Sequence, residues 1–261
     1  MARKRERFDR TDVPRESPRR NLVGAIVSVA ALLVAAAVVV FFWWRMNLER
    51  GLEVTELEDA LAYPSSASVV DGMGYAVSPD DIETTLLLEV DDIDAQTPNL
   101  VRARVLAVNH TSGAAAVAGV PVTVKIDFDD PAALGDVCVR SGAAACAELL
   151  SEAAGVPFDH VIVSEGDVLP GIGALSGSGI IDLPTQASEL VSSLRTDMSD
   201  EEVLALADDV AATGAAAADA PEVAPVPETM TDETGATTET GSWLVDGTQL
   251  ALTLGLLVTA A

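Results

Sequence analysis

Apolar and polar positions fall into three regimes along the chain. The first is a run of 23 residues without a charge, Leu22 to Trp44. A helix of that length rises about 35 Å, enough to cross a hydrocarbon core of about 30 Å with some tilt. One segment can span a bilayer only as a helix, because every backbone polar group must be satisfied internally. Phe41, Phe42, Trp43 and Trp44 close the run, and such rings favour the membrane–water interface. The pattern predicts a transmembrane helix over residues 21–45. A cleaved signal peptide, with Ala35, Ala36 and Ala37 as a cleavage-like stretch, is the competing reading. The apolar run is longer than a signal core of roughly 7–15 residues and ends in bulky rings, which favours an uncleaved anchor.

The second regime, residues 46–80, reads as a stalk and entry segment. Leu52 to Leu61 suits a short helix, and Pro64-Ser65-Ser66 breaks it. The third begins at Thr84 and has an α/β pattern. Thr85 to Val90 is a short apolar run of the kind found in buried strands. Val101 to Val108 alternates, with Arg102 and Arg104 on the side opposite Val101 and Ala103. Asn109-His110-Thr111-Ser112-Gly113 is a hairpin turn, and its Asn109-His110-Thr111 also matches a glycosylation sequon. Ala116 to Phe128 is rich in strand formers, with Pro121 at a strand end or bulge.

Ala143 to Ala154 predicts a helix closed by Gly155, and Asp159 to Val163 a further strand. Residues 165–178 are Gly-rich and loop-like. Gly171-Ile172-Gly173 and Gly177-Ser178-Gly179 read as turns, since no strand–GxGxxG–helix order surrounds them. Ile180 to Leu183 predicts a short strand, and Thr185 to Leu194 a helix. Ser199 with Glu202 forms a capping box for a helix through Val210. Residues 211–241, dominated by Ala, Pro, Thr, Glu and Gly, read as a flexible low-complexity stretch. Trp243 to Val245 suits an edge strand. The apolar tail Thr248 to Thr259 is too short to span a membrane and predicts a packed terminal helix or strand. Alternating strands and helices over 81–261 predict a layered α/β domain.

Charge orients the chain. Residues 1–20 hold eight of the chain's 15 basic residues, so the positive-inside rule makes them a cytoplasmic tail and places residues 46–261 outside. After Met46 there are 37 acidic and six basic residues (Arg50, Arg102, Arg104, Lys125, Arg140 and Arg195). Such a surface repels nucleic acid and anionic headgroups, leaving the bilayer a partner through residues 21–45 only. Cys138 and Cys146, the only cysteines, are expected to form a disulfide in that compartment, stapling a loop to a helix start. With two histidines, no paired CxxC and no GxSxG, a zinc site and a His-dependent hydrolase are disfavoured. His160 reads as a packed residue at a strand start.

The order of these segments resembles the LytR-CpsA-Psr family. Leu86 to Asp91 is similar to its "LLLGxDSR" strand, Val101 to Asn109 to "DTIMLVxVN", and Val117 to Thr123 to the strand entering "SIPRD". Glu148-Leu149-Leu150 followed by Gly155 to Val163 resembles "LLGIPIDHYVxV". Gly177 to Leu183 resembles "GGVEVDV", and Leu194 to Ser199 a "T(D/N)LS" turn. The resemblance implies a three-layer α-β-α domain with a mixed sheet outside the cytoplasm. It also implies transfer of glycopolymer from a polyprenyl-pyrophosphate carrier to peptidoglycan, with Mg²⁺ and an arginine cluster holding the diphosphate.

This chain departs from that chemistry. Ile93 stands where the family has an arginine, Asn99-Leu100-Val101 replaces "R-x-D", and Pro121-Val122-Thr123 replaces "PRD". The arginine-rich segment after Leu183 is largely missing. The leading expectation is therefore an envelope-facing protein with the family fold, impaired or lost catalysis, and a binding, scaffolding or regulatory role in cell-wall assembly. An active Mg²⁺-dependent transferase is the alternative. It would use Asp91, Arg102 and Arg104 as catalytic residues and Asp91, Asp92 and Asp94 as metal ligands. Its partners would be polyprenyl-linked glycopolymer and peptidoglycan; other envelope proteins are partners under the first expectation. A structural or adhesive domain of two packed sheets is the third.

Overall fold

The computed structural model describes residues 74–95, 97–176, 194–217, 220–232 and 235–259, all within the compact unit Leu52–Ala261. The tail 1–20, the anchor 21–45, the stalk up to residue 73, the strand at 180–183 and residues 185–193 of the helix predicted to end at Leu194 lie outside the described residues; Leu194 itself begins a strand. Among the described residues no helix is long and apolar enough to cross a membrane.

The strands, in chain order, are β1 (Tyr75–Val77), β2 (Ile82–Val90), β3 (Leu100–Asn109), β4 (Ala114–Val120), β5 (Lys125–Asp127), β6 (Ala132–Ala133), β7 (His160–Glu165), β8 (Leu194–Thr196), β9 (Val226–Thr231), β10 (Thr237–Leu244) and β11 (Leu257–Thr259). The helices are α1 (Leu134–Ala154), α2 (Val168–Gly173), α3 (Asp200–Thr213) and α4 (Gly247–Thr253). The main sheet has the order β4-β3-β2-β7-β8. β2 runs antiparallel to β3 and parallel to β7, so the sheet is mixed.

β2 reads as an unbroken apolar run because both of its faces are covered. Leu86, Leu88 and Val90 pack with Val105, Val161 and Val163 against α1 and α4. Leu87 packs with Leu106 and Ile162 against Ile172 of α2 and Leu206 and Val210 of α3. Burying each such side chain stabilises the fold by roughly 1.5–3 kcal/mol. Helices on both faces give the expected three-layer α-β-α order and exclude two packed sheets without helices. A second sheet, β6-β5-β10-β9, and the β1–β11 pair flank this core.

Side-chain polar bonds fix the register. The Asp159 carboxylate accepts from Thr84 N–H at 2.8 Å and from the Thr84 hydroxyl at 2.9 Å, tying the start of β7 to β2. The capping box is formed: Ser199 and Glu202 bond reciprocally at the start of α3. Gly155 ends α1 in the left-handed region, with φ 62°.

Four expectations are corrected. First, α1 begins at Leu134, nine residues before Ala143, and breaks at Gly142, whose φ of 82° and ψ of 179° only glycine adopts readily. Second, both cysteines lie within α1 on either side of that break, as free, fully buried thiols. The expected loop-to-helix disulfide does not form. The Cys146 thiol instead points at the Leu134 carbonyl at 3.7 Å, and the two thiols lie in hydrogen-bond contact with each other in the core. Third, α2 replaces part of the Gly-rich loop, capped by the Asp167 side chain accepting from Leu169 N–H. Fourth, the described part of the low-complexity stretch carries regular structure: β9 lies within it and β10 begins in it, and the two strands pair antiparallel. Its Thr-rich strands are solvated on both sides, so no hydrophobic alternation marks them. The tail supplies α4 and β11.

Gly247 lies against the end of α1, and a Cβ added there would overlap the Ala154 carbonyl. Gly247→Ala is expected to lower stability by at least about 2 kcal/mol through forced displacement of α4 from α1. Urea unfolding of the variant beside its parent checks this; equal midpoints would contradict the packing.

Candidate functional site

The carboxyl end of a central parallel strand is where open α/β sheets commonly build sites. Beyond Val90 the chain leaves β2, and the break at Gly142 separates the two halves of α1. Between them lies a cleft of about 380 Å³. Val90, Ile93, Val139, Ala143, Ala144 and Val163 supply its apolar wall, and Arg140 and Arg195 its cations. Val90 and Val163 are brought there by the β2–β7 pairing, and Arg195 by pairing of β8 with β7 opposite Val163.

Both guanidinium groups are already committed to carboxylates. Arg140 donates to Asp130 at 2.6 Å and to Asp127 at 3.0 Å. Arg195 donates to Asp94 at 2.7 Å. Of the residues singled out in the sequence, only Asp94 therefore bears on the cleft's cations. Asp91 accepts from Asn99 N–H at 2.8 Å and from the Asn99 side-chain amide at 2.6 Å. Those bonds, the amide's first, hold its carboxyl below the ordinary carboxylate value.

Asp92 accepts from Asp94 N–H at 3.0 Å, closing a turn. Asp91, Asp92 and Asp94 thus serve Asn99, a backbone amide and Arg195 respectively. Among the described residues no group of three or more His, Cys, Asp or Glu side chains is placed to hold a metal ion. Local turn bonds and the arginine claim the three carboxylates separately. The donor set does not fit Mg²⁺, which demands near-octahedral oxygen ligation.

Arg102 and Arg104 share a face of β3, as their alternation predicts, but that face looks toward α2. Arg104 lies opposite Leu87, and Arg102 opposite Glu89. Arg104 is nearly buried and grips the Asp167 carboxylate through both of its terminal nitrogens, at 2.5 and 3.2 Å. Burial alone would raise the Asp167 carboxyl, but the Arg104 bonds and charge hold it below the ordinary value. Arg102 stands 3.6 Å from both Asp167 and Glu89. Glu89 Oε2 is buried and accepts no hydrogen bond among the described residues. Asp91 is not joined to this cluster, because its partners are on the Asn99 side. The two arginines therefore fasten the Asp167 cap of α2 to the sheet.

The opposite end of β2 carries a second polar cluster. Glu83 lies between the chain's two histidines, 3.2 Å from His110 Nε2 and 3.7 Å from His160 Nε2. His160 Nδ1 bonds Asp197 at 2.7 Å, and the other Asp197 oxygen accepts from Val161 N–H at 2.8 Å. Asp209 of α3 stands 4.0 Å from His110 Nδ1. His160 begins β7, as its position in the sequence suggests, and the cluster joins β2, β7, α3 and the β3–β4 turn.

No family model and no curated protein matches this sequence. Among solved structures the chain is similar to Bacillus subtilis TagV, at 9% identity and TM-score 0.47, over 68% of this chain and 96% of that one. It is similar to Lin1025 of Listeria innocua at 11% identity and TM-score 0.45, over 67% of this chain and 99% of that one. It is also similar to the LytR-CPS2A-psr family protein YwtF (TagT), solved with bound octaprenyl pyrophosphate lipid, at 10% identity and TM-score 0.44. That match covers 73% of this chain and 96% of the other.

The histidine cluster makes stability depend on pH. The Asp197 bond, and then the charges of Asp197, Glu83 and Glu202, lift His160 above its ordinary value of 6.5 against the effect of burial. A group raised on folding contributes stability that is complete below its unfolded value and is lost as pH rises through the folded one. His160→Gln should therefore lower Tm more at about pH 5.5 than at about pH 8.5. Thermal melts at both values check this. A difference independent of pH would show that the imidazolium charge is not the source.

Proposed function

We propose that this chain is a membrane-anchored, envelope-facing protein with a divergent LytR-CpsA-Psr-type domain. It binds a lipid-linked diphosphate, or a partner in wall assembly, with transfer impaired or absent. The anchor over 21–45 and the basic tail 1–20 support the placement. The domain's family resemblance rests on segments that become neighbours in one sheet: Leu86 to Asp91, Val101 to Asn109 and Gly155 to Val163 enter or form β2, β3 and β7.

The observation that carries the reading is the charge state of the cleft. An apolar wall beside Arg140 and Arg195 suits an amphiphile with an anionic head. However, Asp94, Asp127 and Asp130 already neutralise these arginines. A diphosphate must displace those carboxylates before either guanidinium can hold it. Once displaced, the carboxylates add repulsion at the mouth. Catalysis needs positive charge preorganised where negative charge develops, and here that charge is engaged in the resting state. Among the described residues that line the cleft, Arg140 and Arg195 are the only cations. The arrangement favours modest binding over turnover.

Full-length protein in nanodiscs, given Mg²⁺ and a polyprenyl-diphosphate-linked glycan, is expected to show no release of the carrier above that from empty nanodiscs. Geranylgeranyl diphosphate should bind, and Arg140→Ala with Arg195→Ala should weaken it by roughly tenfold or more, the loss of about 1.4 kcal/mol. Carrier release abolished by Asp91→Ala would overturn the impaired-transfer reading and establish an active transferase. Binding unchanged by the double arginine variant would remove the cleft from the account.

A further inference from the structure

The β9–β10 hairpin is placed like an arm. Its backbone pairing with the neighbouring β5 is limited to Leu244–Lys125 at the base, and beyond it both faces are largely exposed. An isolated hairpin is marginally stable in water, so an ordered one needs devices that hold it. On one face Glu228 supplies them: it bonds Lys125 at 2.7 Å and the Thr240 hydroxyl at 2.6 Å. Lys125 in turn lies over the Phe128 ring at 5.2 Å. The other face presents Trp243 and Pro227 opposite each other, then Thr229 opposite Glu239, then Thr231 opposite Thr237.

A bulge between Glu239 and Trp243 sets that face. Its Gly241 takes a φ of 87°, and Ser242 N–H donates to the Thr240 hydroxyl at 3.3 Å. Bulges re-aim side chains, and this one brings the indole opposite Pro227. Trp243 is nevertheless 48% exposed, an unusual state for the largest apolar side chain. The result is an exposed indole at the base of the arm, followed along the same face by a row of three threonine hydroxyls and a carboxylate.

We propose that this face is a glycan-binding surface for a neutral or amine-bearing pyranose chain, a site distinct from the cleft and independent of it. A sugar ring offers an apolar face of C–H groups for the indole and hydroxyls around its rim. Thr229, Thr231 and Thr237 can donate to or accept from those hydroxyls, and Glu239 accepts from a hydroxyl or an ammonium group. Among the described residues this face holds no cation, since Lys125 serves Glu228 on the other one. An anionic glycopolymer is therefore disfavoured, and the chain's net charge of −26 disfavours a nucleic acid and a second copy alike. An apolar peptide would find only Pro227 beside the indole.

The test uses full-length protein in nanodiscs and calorimetric titration with chitotetraose, its deacetylated amine form, and tetragalacturonate as the anionic probe. The first two should bind and the third should not. Trp243→Ala should weaken binding by roughly tenfold or more, whereas Met230→Ala on the opposite face should change it by less than about threefold. Thr229→Val, on the same face but distant from the base of the arm, should weaken binding too and serves if Trp243→Ala fails to fold. The proposal is overturned if chitotetraose and its amine form do not bind, if tetragalacturonate binds more tightly, or if Trp243→Ala and Thr229→Val bind as the parent does. Self-association that Trp243→Ala abolishes, with no sugar binding, would assign the face to a second copy instead.

Discussion

Each of the five arginine and lysine side chains in the described residues is bound to a carboxylate. Arg104 holds Asp167, Arg102 stands by Glu89 and Asp167, Lys125 holds Glu228, Arg140 holds Asp127 and Asp130, and Arg195 holds Asp94. On a chain so rich in acid this pairing is a structural constraint as well as an electrostatic one. Arg104 fastens the cap of α2 to the sheet, Arg140 joins α1 to the turn after β5, Arg195 joins β8 to the segment after β2, and Lys125 supports the β9–β10 arm. Exposed pairs of this kind stabilise little individually. Their larger effect is on what remains available: guanidinium charge that fastens elements together is not waiting for a ligand.

The core was legible in the sequence because it obeys strong periodicities. The apolar run in β2, the alternation in β3, the turn at Asn109 to Gly113 and the Ser199–Glu202 box each follow from a local rule. What escaped lacks such a rule. β9 and β10 bury neither face, so their threonines carry no hydrophobic period. The first half of α1 is obscured because Gly142 interrupts the helix where a sequence reading expects a boundary. The cysteines suggested a disulfide from compartment and spacing alone, and neither reveals that both sit on one helix in the core.

The cleft was less legible for a reason of chain distance. Arg140 and Arg195 are 55 positions apart in the sequence, and only the β7–β8 pairing and the break in α1 bring them to one cleft. The signal that could have found Arg195 is its place just before the Thr196 to Ser199 turn, one of the segments that resembles the family. Arg102 and Arg104 drew notice because they alternate with Ala103, but alternation fixes only that they share a face. Which face that is depends on register. The shift between Glu89 and Val90 ends the regular pairing of β2 with β3 just before Asp91, so strand parity cannot be carried forward to that residue.

The two ends of β2 show how one acidic chain can give similar carboxylates different roles. At the amino end, Glu83 and Asp197 face imidazoles, and the Asp197 bond raises that of His160 above its ordinary value. At the carboxyl end, Asp94 and the Asp127–Asp130 pair face guanidiniums, which stay charged at any pH the fold tolerates. The first arrangement lets protonation tune stability. The second holds the cleft's guanidiniums neutralised by neighbouring carboxylates. A ligand head can open the cleft only by competing with those carboxylates. Affinity there is a difference between two sets of charge-assisted bonds, which is why the geometry favours recognition of a head group over acceleration of its transfer.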